Sequence, residues 1–440
     1  MFARVALVCA LAIVKPTWAM ADQPAAAATG TGTGTGTGSR TGTGSRTGTG
    51  TGTTTGSGTG SDSAPASGTG SKSESESGSA TGSESATGSE SATSSVVGPL
   101  TAAATAPAAA SISPARRAAA ITLAIIPGVG ARGLGSYVAR QSRTARRLLA
   151  LGSIGLGAAL LGGLPLYATY GSGKLIVPGA HLTVGGAGLI MASWWSDIYA
   201  AAGGDRLGGR PRTLPALAVE LGTTWQHSAY LGERLLLAPA AELRRGRWAA
   251  RAAGLLATDG SAVGARVDVE TRAWSIAPAA APTIAASRHT GSAIAFRAAL
   301  HYHGEPDQHF ALVTGELTVR GRLDLARLDP HVGGTFVELE EGLGLQLTRY
   351  DAGSADVGTI LLSRFAWGLY LPGGRGELGV FYDHRRDQMA GGFRAGPAAG
   401  FFGSIGATAE VVLASPWTGF AQVEVGTDWV TTVALRRELP

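Results

Sequence analysis

The sequence predicts a mainly β protein, an antiparallel up-and-down β-barrel of roughly 10–12 strands preceded by a hydrophobic helical hairpin and a disordered N-terminal tether. Three observations predict the barrel. Residues 213–440 alternate apolar and polar side chains with a period of two. Charged residues recur on the polar face of most of these segments. Aromatic residues gather near segment ends, at Trp225, Tyr230, Trp274, Tyr302, Phe310, Tyr350, Tyr370 and Trp417.

The chain opens with the pattern of a secretory signal peptide over residues 1–21. Arg4 gives the positive start, Val5 to Val14 the apolar run, and Ala19-Met20-Ala21 the small residues ahead of a cut at Asp22. The single cysteine, Cys9, falls inside this segment, so a cleaved chain has no thiol for disulfides, nucleophilic catalysis or metal-thiolate sites. Leu7-Val8-Cys9 is a poor lipoprotein signal, because the apolar run before Cys9 is short and Val8 is large.

Residues 22–113 are assigned to the tether. Over 22–95 they are Thr-Gly, Ser-Gly and Ser-Glu repeats with almost no large apolar side chain to offset ordering entropy. A coil of about 75 such residues spans roughly 45–50 Å. The repeats hold much of the chain's 67 glycines and dilute its charged fraction to 15%. The net charge of +5 comes from arginines scattered through the second half, with no basic run interleaved with aromatics. Nucleic acid is therefore excluded as a partner, and membrane lipid is expected.

Residues 114–204 form the hydrophobic helical segment, with three apolar stretches. Ala118 to Val138 is interrupted by Arg132 and Pro127-Gly128, Leu148 to Gly171 carries no charge, and Leu175 to Ser193 ends at Trp194-Trp195. The second, of about 24 residues, is long enough to cross a bilayer core. Arg140, Arg143, Arg146 and Arg147 suit a cytoplasmic loop between the first two stretches. The third, weakened as a spanner by Pro178, Gly179 and His181, is expected to lie as an interfacial or barrel-packed helix. A buried soluble hairpin is the alternative. Ile126-Pro127-Gly128-Val129-Gly130, with Gly135-Ser136-Tyr137 and Leu148-Leu149-Ala150-Leu151-Gly152, resembles small bacterial membrane hairpin domains that open with Pro-Gly-x-Gly. The resemblance covers residues 118–171 and departs from the family at Ala131 and Arg132; it implies a membrane hairpin and transfers no catalytic residue.

In residues 213–440, Val263, Ala265, Val267 and Val269 alternate with Arg266, Asp268 and Glu270. Ile294, Phe296, Ala298, Leu300 and Tyr302 alternate with Arg297, His301 and His303. Leu339, Leu343, Leu345 and Leu347 alternate with Glu338, Glu340, Gln346 and Thr348, and only Glu341 breaks the apolar face. A soluble sandwich buries the apolar face, whereas an outer-membrane barrel turns it to lipid. Export, the charged polar faces and the aromatic ends favour the barrel. The ending Arg436-Arg437-Glu438-Leu439-Pro440, without a terminal aromatic, and the presence of a spanning helix oppose it.

Candidate chemistry is sparse. His301 and His303 share a strand face and, with His309, could hold a metal, although ordinary surface histidines explain them more simply. His227 and Ser228 are adjacent, so on a strand they point to opposite faces and cannot form a nucleophile–base pair. Glu338 and Glu340 suit a wet lumen better than acid–base work, and Arg132 sits at a glycine-rich break where it can snorkel. No catalytic, cofactor or metal residues are assigned. The expectation is a non-enzymatic envelope protein of the outer membrane with a structural, pore-like or adhesive role. The alternatives are a membrane-anchored ligand-binding barrel and an outer-membrane lipid hydrolase.

Overall fold

The computed structural model describes residues 112–169, 173–228, 232–276, 289–349, 355–384 and 403–439. The expected signal peptide (1–21) and the tether up to residue 111 lie outside the described residues, as do Tyr230 and Tyr350.

Twelve antiparallel strands close on themselves in sequence order: β1 (Leu217–Ser228), β2 (Gly232–Arg245), β3 (Trp248–Ala257), β4 (Val263–Ser275), β5 (Ala293–Glu305), β6 (Phe310–Asp324), β7 (Thr335–Arg349), β8 (Ala355–Tyr370), β9 (Gly376–Asp383), β10 (Ser404–Ala414), β11 (Trp417–Val425) and β12 (Trp429–Leu439). β12 returns to β1 in the register Glu220↔Arg436 and Trp225↔Thr431, which leaves no open edge. Because side chains alternate across the pleat, each strand presents one apolar and one polar face. The apolar one points outward. Leu221, Leu300, Leu317, Leu345 and Val433 are exposed, whereas Thr224, Asp268, Glu316, Glu340 and Thr418 are buried inside. Exposed Trp248, Trp274 and Trp417 ring the mouth where β1 begins and β12 ends, the terminal mouth, and Trp225 and Tyr302 lie toward the far mouth. Aromatic bands near the two mouths are a pattern shared with membrane barrels. Tyr370, read from sequence as part of a girdle, is instead buried in the lumen, where its ring lies 5.0 Å from that of Phe336.

Among the described residues, four α-helices precede the barrel: α1 (Pro114–Ile125), α2 (Leu134–Val138), α3 (Ser142–Ala168) and α4 (Gly173–Ala201). The hairpin pairs α3 with α4, the second and third apolar stretches. This corrects the expectation that the first two stretches pair around an arginine loop. Arg143, Arg146 and Arg147 belong to the first turns of α3, and the first stretch breaks at the Pro127–Val129 turn into the short helices α1 and α2. The buried Asp197 carboxylate of α4 accepts the Gly135 and Ser136 amides at 3.0 and 2.7 Å and the Ser136 hydroxyl at 2.5 Å. The Trp194 indole donates to the Ala124 carbonyl at 2.8 Å. These bonds hold α1 and α2 on the end of the hairpin. Arg132, the charge inside the first stretch, donates to the Gly128 carbonyl at 2.6 Å.

Small residues make the hairpin seam. Gly152, Gly155, Ala159 and Gly162 of α3 face Gly179, Thr183, Gly186 and Ser193 of α4, and the Ser193 hydroxyl donates to the Leu148 carbonyl at 2.6 Å. Backbones this close are typical of helices that associate without a hydrophobic driving force. A Cβ on Gly155 would lie 2.7 Å from the Gly186 oxygen and 2.9 Å from the Ile190 nitrogen. Gly155→Leu is therefore expected to loosen the hairpin by about 1–3 kcal/mol. Limited proteolysis should show faster tryptic cleavage after Arg146 and Arg147, with heat-modifiable mobility of the barrel unchanged. Wild-type cleavage rates in the variant would contradict this packing.

Candidate functional site: a charged lumen with a strap at one mouth

The inner face carries arginines and carboxylates on nearly every strand. A buried charge is costly unless paired, and the register supplies the partners. Arg436 on β12 reaches Glu220 at 2.8 Å and Glu410 on β10 at 2.9 Å. Glu220 also meets Arg251 on β3 at 3.2 Å. Arg320 on β6 holds Glu270 on β4 at 2.8 Å, and Arg266 on β4 holds Glu316 on β6 at 2.6 Å. Arg322 crosses from β6 to Glu377 on β9 at 2.6 Å, its guanidinium 3.6 Å from the centre of the Phe336 ring. Most of these pairs skip one or more strands, so they brace the lumen as chords.

Glu338 and Glu340, noted in the sequence as a possible acid–base pair, both point into this network. Glu338 contacts Arg364 at 3.3 Å and Arg322 at 3.6 Å. Glu340 accepts the Thr318 hydroxyl at 2.9 Å and contacts Arg297 at 3.5 Å. Each carboxylate is matched by a guanidinium fixed on a neighbouring wall, an arrangement suited to ionic bracing.

The segment leading into β1 spans the terminal mouth. Gly209 bridges to Pro372, and Thr213 bridges to His289. The Thr290 amide donates to the Arg212 carbonyl at 2.9 Å, and the Arg212 amide to the Thr290 hydroxyl at 3.0 Å. From this strap the Arg212 side chain, 4% exposed, drops into the lumen and pairs with Glu410 at 2.7 Å and with Glu438. Sequence reading missed Arg212 because it precedes the first alternating segment and no local pattern marks it.

The other sequence candidates do not assemble into one site. His227 is 50% exposed on the outer face, ring-stacked with Trp225 at 5.9 Å, while Ser228 is buried on the inner face. His303 lies 3.4 Å from Glu305 near the far mouth, and His309 sits in the following turn with φ 51°. Among the described residues no group of three or more metal-ligating side chains comes together.

No family model matches the chain, and no curated protein matches it. Among solved structures it is similar to the KdgM porin, at 8% identity over 51% of this chain and 99% of that one, TM-score 0.30. It is also similar to the NanC porin, at 5% identity over 50% of this chain and 100% of that one, TM-score 0.32. A third is the translocator domain of the autotransporter NalP from Neisseria meningitidis, at 14% identity over 54% and 92%, TM-score 0.28. The likeness is one of barrel architecture.

His289, at the strap, accepts the Gly291 amide on Nδ1 at 2.8 Å. Burial, then the nearby Arg272, Arg327 and Arg322, push its imidazole down to about 4. The unfolded side chain titrates near 6.5, so between those values the unfolded state binds more protons. The stabilising contribution of neutral His289 is complete above the unfolded value and is lost as the pH falls toward the folded one. Protection factors of the Arg212 and Thr290 amides, which remove the intrinsic pH dependence of exchange, are expected to fall across that window, and His289→Gln should flatten the dependence. An unchanged pH profile in the variant would contradict this role.

Proposed function

We propose that the protein is a non-enzymatic, pore-like β-barrel of the outer membrane whose terminal mouth is held shut at rest by the Arg212 strap. The observation that carries this reading is the inverted polarity of the wall. Leucine, valine and tryptophan cover the outside, while paired arginines and carboxylates fill the inside. In water the exposed apolar belt would be penalised at roughly 25 cal/mol per Å²; in a bilayer it carries no such penalty. A closed barrel also leaves no strand edge open, as the hydrocarbon core demands. The export signal expected at residues 1–21 and the two aromatic bands support the outer membrane as the location.

The charged interior argues against a barrel that stores an apolar ligand. The opposed faces of His227 and Ser228 argue against lipid hydrolysis at that pair. The Pro-Gly-x-Gly resemblance over residues 118–171 finds no support, since the paired helices lie after the turn at Pro127.

Planar-bilayer recording of the purified full chain tests the proposal. Wild-type protein is expected to give small or infrequent conductance steps. Arg212→Gln, which removes the charge pinning Glu410 and Glu438, should give larger or longer openings. If neither protein conducts, the pore-like reading fails; if both conduct alike, the strap does not close the mouth.

A further inference from the structure

An acidic side chain stands mid-strand on the outward face of the barrel, far from either mouth. Glu341 lies mid-strand on β7, between the outward Leu339 and Leu343, and opposite Val319 on β6 and Ser363 on β8. A carboxylate at that depth facing acyl chains is expensive. Here it faces α4. Its Oε1 accepts the Ser363 hydroxyl at 2.9 Å, and its Oε2 lies 3.2 Å from Nε2 of His181. Gly185 and Gly188 let the helix come close, with Gly188 directly over the Phe365 ring. Further along, Trp195 meets Trp367 at 5.5 Å, and the Trp367 indole donates to Ser196 at 3.1 Å. At the terminal mouth the hairpin is fixed again, through Thr144 to Asp329 at 2.8 Å and Tyr199 to the Gly333 carbonyl at 3.0 Å. The helix therefore runs along the barrel wall from mid-depth to the terminal mouth.

Charge placement on the hairpin matches this course. Arginines stand at its base and Lys174 at its tip, with no charged residue from Leu148 to Gly173. At 1.5 Å per residue, α4 is roughly 43 Å long, enough to cross a ~30 Å core. The side of α3 turned away from the barrel exposes Leu149, Ile154, Leu156, Leu160, Leu161 and Leu164. Leu161 is 72% exposed and adjoins Gly162, which packs on Gly179 and Thr183, at the level of His181.

We infer that the α3–α4 hairpin is inserted in the same bilayer as the barrel, seated on the β7–β8 wall over Glu341, with lipid acyl chains covering its outer face. This rests on the membrane-barrel reading above and adds a helical element to its lipid-facing surface. The outer leucines continue the apolar belt of the barrel, and the depth of Glu341 fixes the depth of His181.

The test uses the full chain with Cys9→Ser and a single bimane-labelled cysteine, in phosphatidylcholine vesicles carrying mid-chain doxyl lipid. Leu161→Cys reports the hairpin, Leu164→Cys repeats the readout should the first variant misfold, and Val433→Cys on β12 reports the barrel. Hairpin and barrel labels are both expected to lose most of their emission to doxyl lipid and little to aqueous iodide. If the barrel label responds to lipid while the hairpin labels respond to iodide, the hairpin lies in water and the inference is overturned, with the barrel reading intact. Hairpin labels quenched by neither agent would mean that a second protein surface covers them, which also overturns it. A barrel label quenched by iodide would overturn both.

Discussion

A guanidinium or carboxylate left unpaired inside a β-barrel costs several kcal/mol, and the inner wall of this protein is arranged around that cost. Arg436 shares Glu220 and Glu410, Arg320 takes Glu270, and Arg322 reaches across to Glu377. The Glu220–Arg436 pair depends on closure, because the two residues meet only when β12 returns to β1. Closure and pairing therefore reinforce each other, and the outer face is left predominantly apolar. Arg212 extends the same logic beyond the wall. Its two carboxylate partners, Glu410 and Glu438, sit on strands that the strap itself does not belong to, so the ion pairs tie the strap to the barrel.

Outside the barrel the same rule acts on single residues. Glu341 is covered on the apolar face by α4; its Oε1 takes the Ser363 hydroxyl, and its Oε2 lies beside His181 Nε2 at 3.2 Å without a hydrogen bond. Asp197, the buried acid of α4, is tolerable because it takes two backbone amides and a hydroxyl. Asp329, in the β6–β7 connection, is buried, which alone would raise its carboxyl. Hydrogen bonds from the His331 amide, the Thr144 hydroxyl and the His331 ring outweigh burial, and it titrates below the ordinary 3.8. These three acids mark the places where the helices are joined to one another and to the barrel.

The barrel was legible in the sequence because a period of two states both strand and face. Val263 to Glu270 and Ile294 to His303 fall on the wall with the alternation read from the chain. Which charges pair was not legible, since partners such as Arg322 and Glu377 lie 55 residues apart and two intervening strands separate them. The helical hairpin was legible as apolar length but not in its pairing. The arginine cluster reads as a loop, yet it occupies the first turns of α3, where the chain sits at the terminal mouth beside Asp329. Tyr370 was assigned outward from its position near a strand end, but the parity of β8 turns it into the lumen beside Arg322. Glu341, visible as a break in the apolar face, has its explanation on a helix some 160 residues earlier, which no local pattern supplies.

The inverted wall is the claim on which everything else stands, and a nitroxide scan of β6 in lipid vesicles tests it most directly. Single labels from Glu316 through Arg320 would be read by collision with oxygen, which partitions into acyl chains, and with a water-soluble nickel chelate. The account predicts a period of two, with Leu317 and Val319 accessible to oxygen and Glu316, Thr318 and Arg320 shielded from it. The opposite phase, or nickel accessibility at Leu317 and Val319, would show the leucine face in water and contradict it.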